Sequence, residues 1–152
     1  MKIRKPLIAT ILGLSLLSFG TGANAAEIDT SKDSTVIQSS KQLEPGTMSI
    51  MAKSKAPTNK STTKVYNNLN GAYALAKSTS TTKEDYIYAK VRTYHRTGYL
   101  MDSKSVSAKK SSSVTAKAEN TTTILWGNYA IGNHTYKLKG YKDVVHETKD
   151  KW

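Results

Sequence analysis

One stretch limits what this chain can become more than any other: Asp85–His95, which reads D-Y-I-Y-A-K-V-R-T-Y-H. Ile87, Ala89, Val91 and Thr93 fall on one side of an extended backbone, and Tyr86, Tyr88, Lys90, Arg92 and Tyr94 on the other. Successive side chains of a strand point to opposite faces, so a period of two over this length predicts a strand whose odd-numbered face packs on a core. It is the longest clean alternation in the sequence, and any fold must supply the partner strands and the opposing layer that it needs.

Candidates for those partners lie on both sides. Val65, Leu69 and Tyr73 are four apart, as on a helix, but Asn67-Asn68 and Asn70-Gly71 favour a turn followed by a strand through Lys77. Ser78–Lys83 reads as a Ser/Thr loop, and Arg96-Thr97-Gly98 as a turn into a strand over Tyr99–Ala108. After a polar turn at Lys109–Ser112, Ser113–Glu119 alternates again, with Val114, Ala116 and Ala118 on one face. Thr121–Trp126 is β-branched and apolar and is expected to be a strand. Gly127-Asn128 and Gly132-Asn133 are expected breaks, His134–Gly140 alternates, and Asp143–Glu147 closes the series as a short strand. Five to seven short strands with turn signals between them predict an all-β fold, a small antiparallel β-sandwich or open barrel over residues 61–152.

The core of such a domain has to be thin. Val, Ile and Leu are sparse in residues 61–152 and Phe is absent, a composition that leans towards disorder. The same segment carries all nine tyrosines and both tryptophans. An aromatic side chain buries about 150–250 Å², so small aliphatics together with tyrosine rings are expected to form the interior.

The chain opens as an export signal. Lys2, Arg4 and Lys5 precede an apolar run from Leu7 to Phe19, and Ala23-Asn24-Ala25 is an A-x-A cleavage site. Residues 1–25 are therefore expected to be a secretory signal peptide, with cleavage near Ala25 and an extracellular product. The apolar run is shorter than the roughly 20 residues a spanning helix needs, and no transmembrane segment is expected in the mature protein. Residues 26–60 show no period and read as a disordered leader or propeptide. There is no cysteine, hence no disulfide framework.

Charge narrows the partners. The chain has 23 basic and 11 acidic residues; without Lys2, Arg4 and Lys5 it keeps 20 against 11, a net charge of +9. Such a surface attracts anions: a cell-wall polymer, a cell-wall precursor or a membrane surface. Export argues against nucleic acid. Tyrosines interleaved with cations on Tyr86, Tyr88, Lys90, Arg92 and Tyr94 make the best candidate binding face, offering stacking surfaces beside positive charge. The alternative is that these tyrosines complete the thin core. Asp143, His146 and Glu147 are the only cluster with acid–base or metal-binding potential, and their spacing matches no zinc motif. No G-x-S-x-G context, cysteine nucleophile or phosphate-binding glycine loop is present. No enzyme activity, metal or cofactor is expected.

Four features have the style of a known family: V-S-A-K at Val106–Lys109, S-V-T-A-K-A at Ser113–Ala118, G-N-H-T-Y-K at Gly132–Lys137, and the terminal Trp152. With the leader and the cysteine-free, Ser/Thr/Tyr-rich body, residues 85–152 resemble the lactococcin 972-like bacteriocins and similar small secreted proteins of Gram-positive bacteria. The resemblance implies a β-sandwich that acts on cell-wall precursor at the septum. It names no binding residue, and the present chain is larger, with a longer region after the signal.

Overall fold

The computed structural model describes residues 36–45, 55–69 and 71–152. The expected signal peptide and much of the expected leader lie outside the described residues. Among the described residues there are eight strands: β1 (Val36–Ser40), β2 (Thr58–Asn68), β3 (Gly71–Glu84), β4 (Tyr86–Tyr94), β5 (Leu100–Ala108), β6 (Ser111–Asn120), β7 (Tyr129–Lys137) and β8 (Val144–Lys151). They form two four-stranded sheets, ordered β1-β2-β3-β6 and β5-β4-β7-β8, with every pairing antiparallel. The fold is an all-β sandwich of eight strands, one more than the upper expectation.

The alternation in Asp85–His95 does what its period requires. β4 is a central strand of its sheet, and Ile87, Ala89, Val91 and Thr93 are fully buried. Across the interior stand Ala74 and Ala76 of β3 and Val114, Ala116 and Ala118 of β6. The many alanines let the sheets meet with little volume between them. Of the tyrosines, only Tyr136 and Tyr141 are buried. Of the expected core of small aliphatics and tyrosine rings, the small aliphatics hold, and the tyrosine part is corrected to one central ring, Tyr136, while Tyr86, Tyr88 and Tyr94 stay half-buried on the outer face.

Four local expectations are corrected. Val36–Ser40, placed in the leader, is an edge strand paired with β2, which itself starts at Thr58 inside the expected leader. Its anchor is polar, so no hydrophobic period announces it: Lys41 is buried, 3.4 Å from the buried carboxylate of Glu84, and donates to the Tyr136 carbonyl at 3.1 Å. Ser78–Lys83 continues β3, because Ser78 is buried and its hydroxyl donates across the interior to the Tyr88 carbonyl. Gly132-Asn133 does not break β7. Gly132 faces inward, and a Cβ there would stand 2.0 Å from Thr63 Oγ1 and 2.9 Å from Thr148 Oγ1. The glycine is a point of close approach between sheets.

Thr121–Trp126 is not a strand but an ordered loop wound about Asn128. The buried Asn128 amide donates to Thr122 Oγ1 at 2.8 Å and to the Ile124 carbonyl at 2.9 Å. Its Oδ1 accepts the Arg96 backbone N–H at 2.9 Å, which ties this loop to the β4–β5 turn. Side-chain hydrogen bonds of this kind compete with a sheet ladder and here prevail over β-propensity.

Candidate functional site

The predicted face is on the outside of the β5-β4-β7-β8 sheet. Tyr86, Tyr88, Lys90, Arg92 and Tyr94 all project there and are all half-buried, because β5 and β7 flank them. The five do not form one surface. Tyr86 and Tyr88 stack at 6.4 Å near the start of the strand. Tyr94, at its end, stacks on Tyr129 of β7 with centroids 5.1 Å apart. Arg92 lies 5.9 Å from the Tyr94 ring centre, and Lys149 of β8 lies 4.3 Å from that of Tyr129. Lys90 stands between the two groups.

Arg92 is positioned by its neighbours. Its Nη2 donates to Asn133 Oδ1 at 2.7 Å, Asn133 donates in turn to Glu147 at 2.9 Å, and Arg92 itself is 3.8 Å from Glu147. The guanidinium is thereby held beside the Tyr94–Tyr129 pair. Guanidinium and ammonium groups over tyrosine faces leave a planar, polarised patch suited to head groups, sugar rings or phosphate esters.

The opposite sheet carries a second cationic feature that the sequence reading missed. A groove of about 480 Å³ runs over the outer face of β1, β2 and β3, and its lining includes Lys60, Lys64 and Lys77 with Thr62, Thr79 and Thr115. Register places Lys77 beside Thr62, midway between Lys60 and Lys64. Among the described residues none that lines the groove is acidic. The alternation Lys60-Thr62-Lys64-Tyr66 was a legible signal, obscured by ending the leader at residue 60.

The histidines and carboxylates separate. Asp143 pairs with Lys137 at 2.7 Å, Glu147 projects outward, and His146 projects inward. Beside His146 in the adjacent strand lies His134, also buried. His95 sits apart in the β4–β5 turn, bonded to Thr97. Among the described residues no group of three His, Asp or Glu side chains is placed to hold a metal ion.

Donor counting fixes one nitrogen of each buried imidazole. Ser78 uses its proton on the Tyr88 carbonyl, so it accepts from His134 Nδ1 at 2.8 Å. His134 Nε2 then accepts from Thr148 at 2.8 Å, and Thr148 accepts from Thr63 at 2.6 Å. Likewise Tyr136 donates to the Lys60 carbonyl and accepts from Ser61, which accepts from His146 Nδ1 at 2.7 Å. His146 Nε2 accepts from Ser39 at 3.0 Å. Each Nδ1 therefore carries a proton, and burial disfavours a second one on Nε2. Burial, with His146 adding a smaller repulsion, lowers the His134 pKa from 6.5 to about 3, and burial also lowers that of His146. These chains tie β3, β4, β7 and β8 to β1 and β2 through the middle of the sandwich. Among the described residues no carboxylate backs either imidazole; each Nδ1 bonds to a serine instead.

The fold and its surfaces define a class: an eight-stranded, alanine-cored β-sandwich with cations on both outer faces. Compared with known protein families, curated proteins and solved structures, the chain matches none. No helix long and apolar enough to cross a membrane occurs among the described residues.

Proposed function

We propose that this is a secreted cationic protein that binds an anionic component of the cell envelope without covalent chemistry. The observation that carries this reading is the stacked Tyr94–Tyr129 pair with Arg92 and Lys149 over its rings. It offers contact area and charge at one place on the predicted face. The mature net charge and the lysine groove on the other sheet support it, since both raise attraction to a phosphate-rich surface. The export signal in residues 1–25 supports an extracellular location. The resemblance to lactococcin 972-like bacteriocins supports an antibacterial role on the cell wall.

Binding of the exported protein to isolated cell walls tests the reading. It should weaken steeply as salt rises from low to physiological levels and beyond. Arg92→Gln with Lys149→Gln should reduce it; salt-independent binding, or none, overturns the proposal. Growth inhibition of related Gram-positive strains separates a bacteriocin-like toxin from a non-toxic wall-associated module, which would bind without killing.

A further inference from the structure

The sandwich is polarised along its strands. Three connections share one end: the β2–β3 turn at Leu69, the β4–β5 turn over residues 95–99, and the β6–β7 loop over residues 121–128. Together they contain no Asp or Glu, and Arg96 is their single Lys or Arg. Among the described residues the opposite end carries charges, with Asp85 between β3 and β4, Lys109-Lys110 between β5 and β6, and Lys139 and Lys142 between β7 and β8.

The first end is apolar and uncovered. Leu69 is 106 % exposed, Trp126 78 % and Ile124 58 %, and Tyr99 and Leu100 are also exposed. Among the described residues nine large hydrophobics are exposed, and six of them, these five and Tyr66, lie at this end. Trp126 and Ile124 are not loose tips. The buried Asn128 amide holds the Ile124 carbonyl and Thr122, and Asn128 is tied to Arg96 and, through its carbonyl, to the Trp152 N–H at 3.1 Å. A large indole held out to water by a hydrogen-bonded loop is prepaid in conformational entropy for a partner.

What surrounds this end says which partner fits. Below the tips runs a band of rings: Tyr66 stacked on Tyr73 at 5.1 Å on one sheet, and Tyr94 on Tyr129 on the other. Trp152 joins them, its indole N–H donating to the Tyr66 carbonyl at 3.1 Å. Cations accompany the band: Lys117 lies 4.4 Å from the Tyr73 ring centre and Lys149 4.3 Å from that of Tyr129, while Lys64 and Lys117 share a row two residues further down. Two residues of strand span roughly 7 Å, close to the thickness of one headgroup layer. Acidic groups at this level are engaged: Glu119 pairs with Lys117, Asp150 accepts the Val65 N–H, and Asp102 accepts the Glu119 N–H.

We propose that this end of the sandwich seats in the interface of an anionic lipid bilayer, with Leu69, Ile124 and Trp126 entering the acyl boundary. The tyrosine band then lies at headgroup level, where amphipathic rings are favoured, and the lysines reach the phosphates. This surface rests on the preceding proposal only for its location outside the cell. It assigns the membrane to the loop end, with the Tyr94–Tyr129 pair shared by both surfaces and the lysine groove left to wall polymers.

The test uses vesicles of phosphatidylglycerol and phosphatidylcholine, with pure phosphatidylcholine as comparison. In the Trp152→Phe protein, Trp126 emission should shift to the blue and be quenched by brominated acyl chains on the anionic vesicles. The double variant Ile124→Ser, Trp126→Ser should bind them about tenfold or more weakly, from the lost apolar burial, while keeping its affinity for isolated cell walls. The Lys60→Gln, Lys77→Gln protein, changed in the groove away from this end, should still insert Trp126. An indole that stays open to acrylamide at saturating lipid overturns the inference, as does unchanged vesicle binding by the double variant. Concentration-dependent dimerisation that buries Trp126 in the presence of vesicles overturns it in favour of a second copy.

Discussion

His134 makes the stability of this protein depend on pH in a window where few other groups act. It is fully buried and hydrogen-bonded as a neutral ring, and its pKa falls to about 3 because the charged form would be desolvated. In the unfolded chain it returns to about 6.5. The unfolded state therefore takes up a proton first as pH falls. Stability from this group is complete above about pH 6.5 and is lost progressively towards pH 3. Between pH 7.5 and 5.0, at about 1.4 kcal/mol per pH unit below the unfolded pKa, the loss is about 2 kcal/mol. Set against a total stability of about 5–15 kcal/mol, that is a large fraction. The buried His146, lowered in the same direction, adds to it. Urea unfolding followed by far-ultraviolet circular dichroism should show the midpoint falling by about 1–2 M between these pH values, given slopes of about 1–2 kcal/mol/M. His134→Gln should be less stable at pH 7.5 but should lose about 2 kcal/mol less than the wild type on going to pH 5.0. An unchanged pH dependence in that variant would refute the neutral, buried assignment.

Three further outcomes are expected. Lys41→Met removes one partner of the fully buried ion pair with Glu84 and should cost about 3–5 kcal/mol in urea unfolding, with Lys41→Met, Glu84→Gln recovering part of it. Gly132→Ala forces a methyl into the space held by Thr63 Oγ1 and should destabilise by about 1–3 kcal/mol, and more if the Thr63–Thr148 bond breaks, as read by thermal unfolding. Changing Lys60, Lys64 and Lys77 together to Gln should leave the unfolding midpoint nearly unchanged and flatten the salt dependence of cell-wall binding; an equal salt slope would show that the groove does not take part.

Much of the β4 neighbourhood was legible because its signal is local. Alternation names the face that is buried wherever apolar and polar residues differ in kind, as in Asp85–His95 and Ser113–Glu119. It failed where the interior is polar. β1 and the first part of β2 face inward through Ser39, Asn59, Ser61 and Thr63, residues that look like solvent-facing ones until their partners across the sandwich are known. It failed also where a side chain redirects the backbone, as Asn128 does for Thr121–Trp126. The candidate binding residues share the outer face of β4, as their period requires, but their division into two groups depends on Tyr129 and Lys149, which neighbouring strands contribute.

The all-β class, the inward face of β4 and the excess of basic over acidic residues were readable from the chain alone, because each follows from residue type and spacing. Only the tertiary structure decided that the interior is alanine and hydrogen-bonded polar side chains, that most tyrosines stand outside it, and that the exposed apolar residues gather at one end. Those outcomes depend on which residues meet across two sheets, and a contact between Ser61 and His146, 85 residues apart, leaves no period for the chain to display.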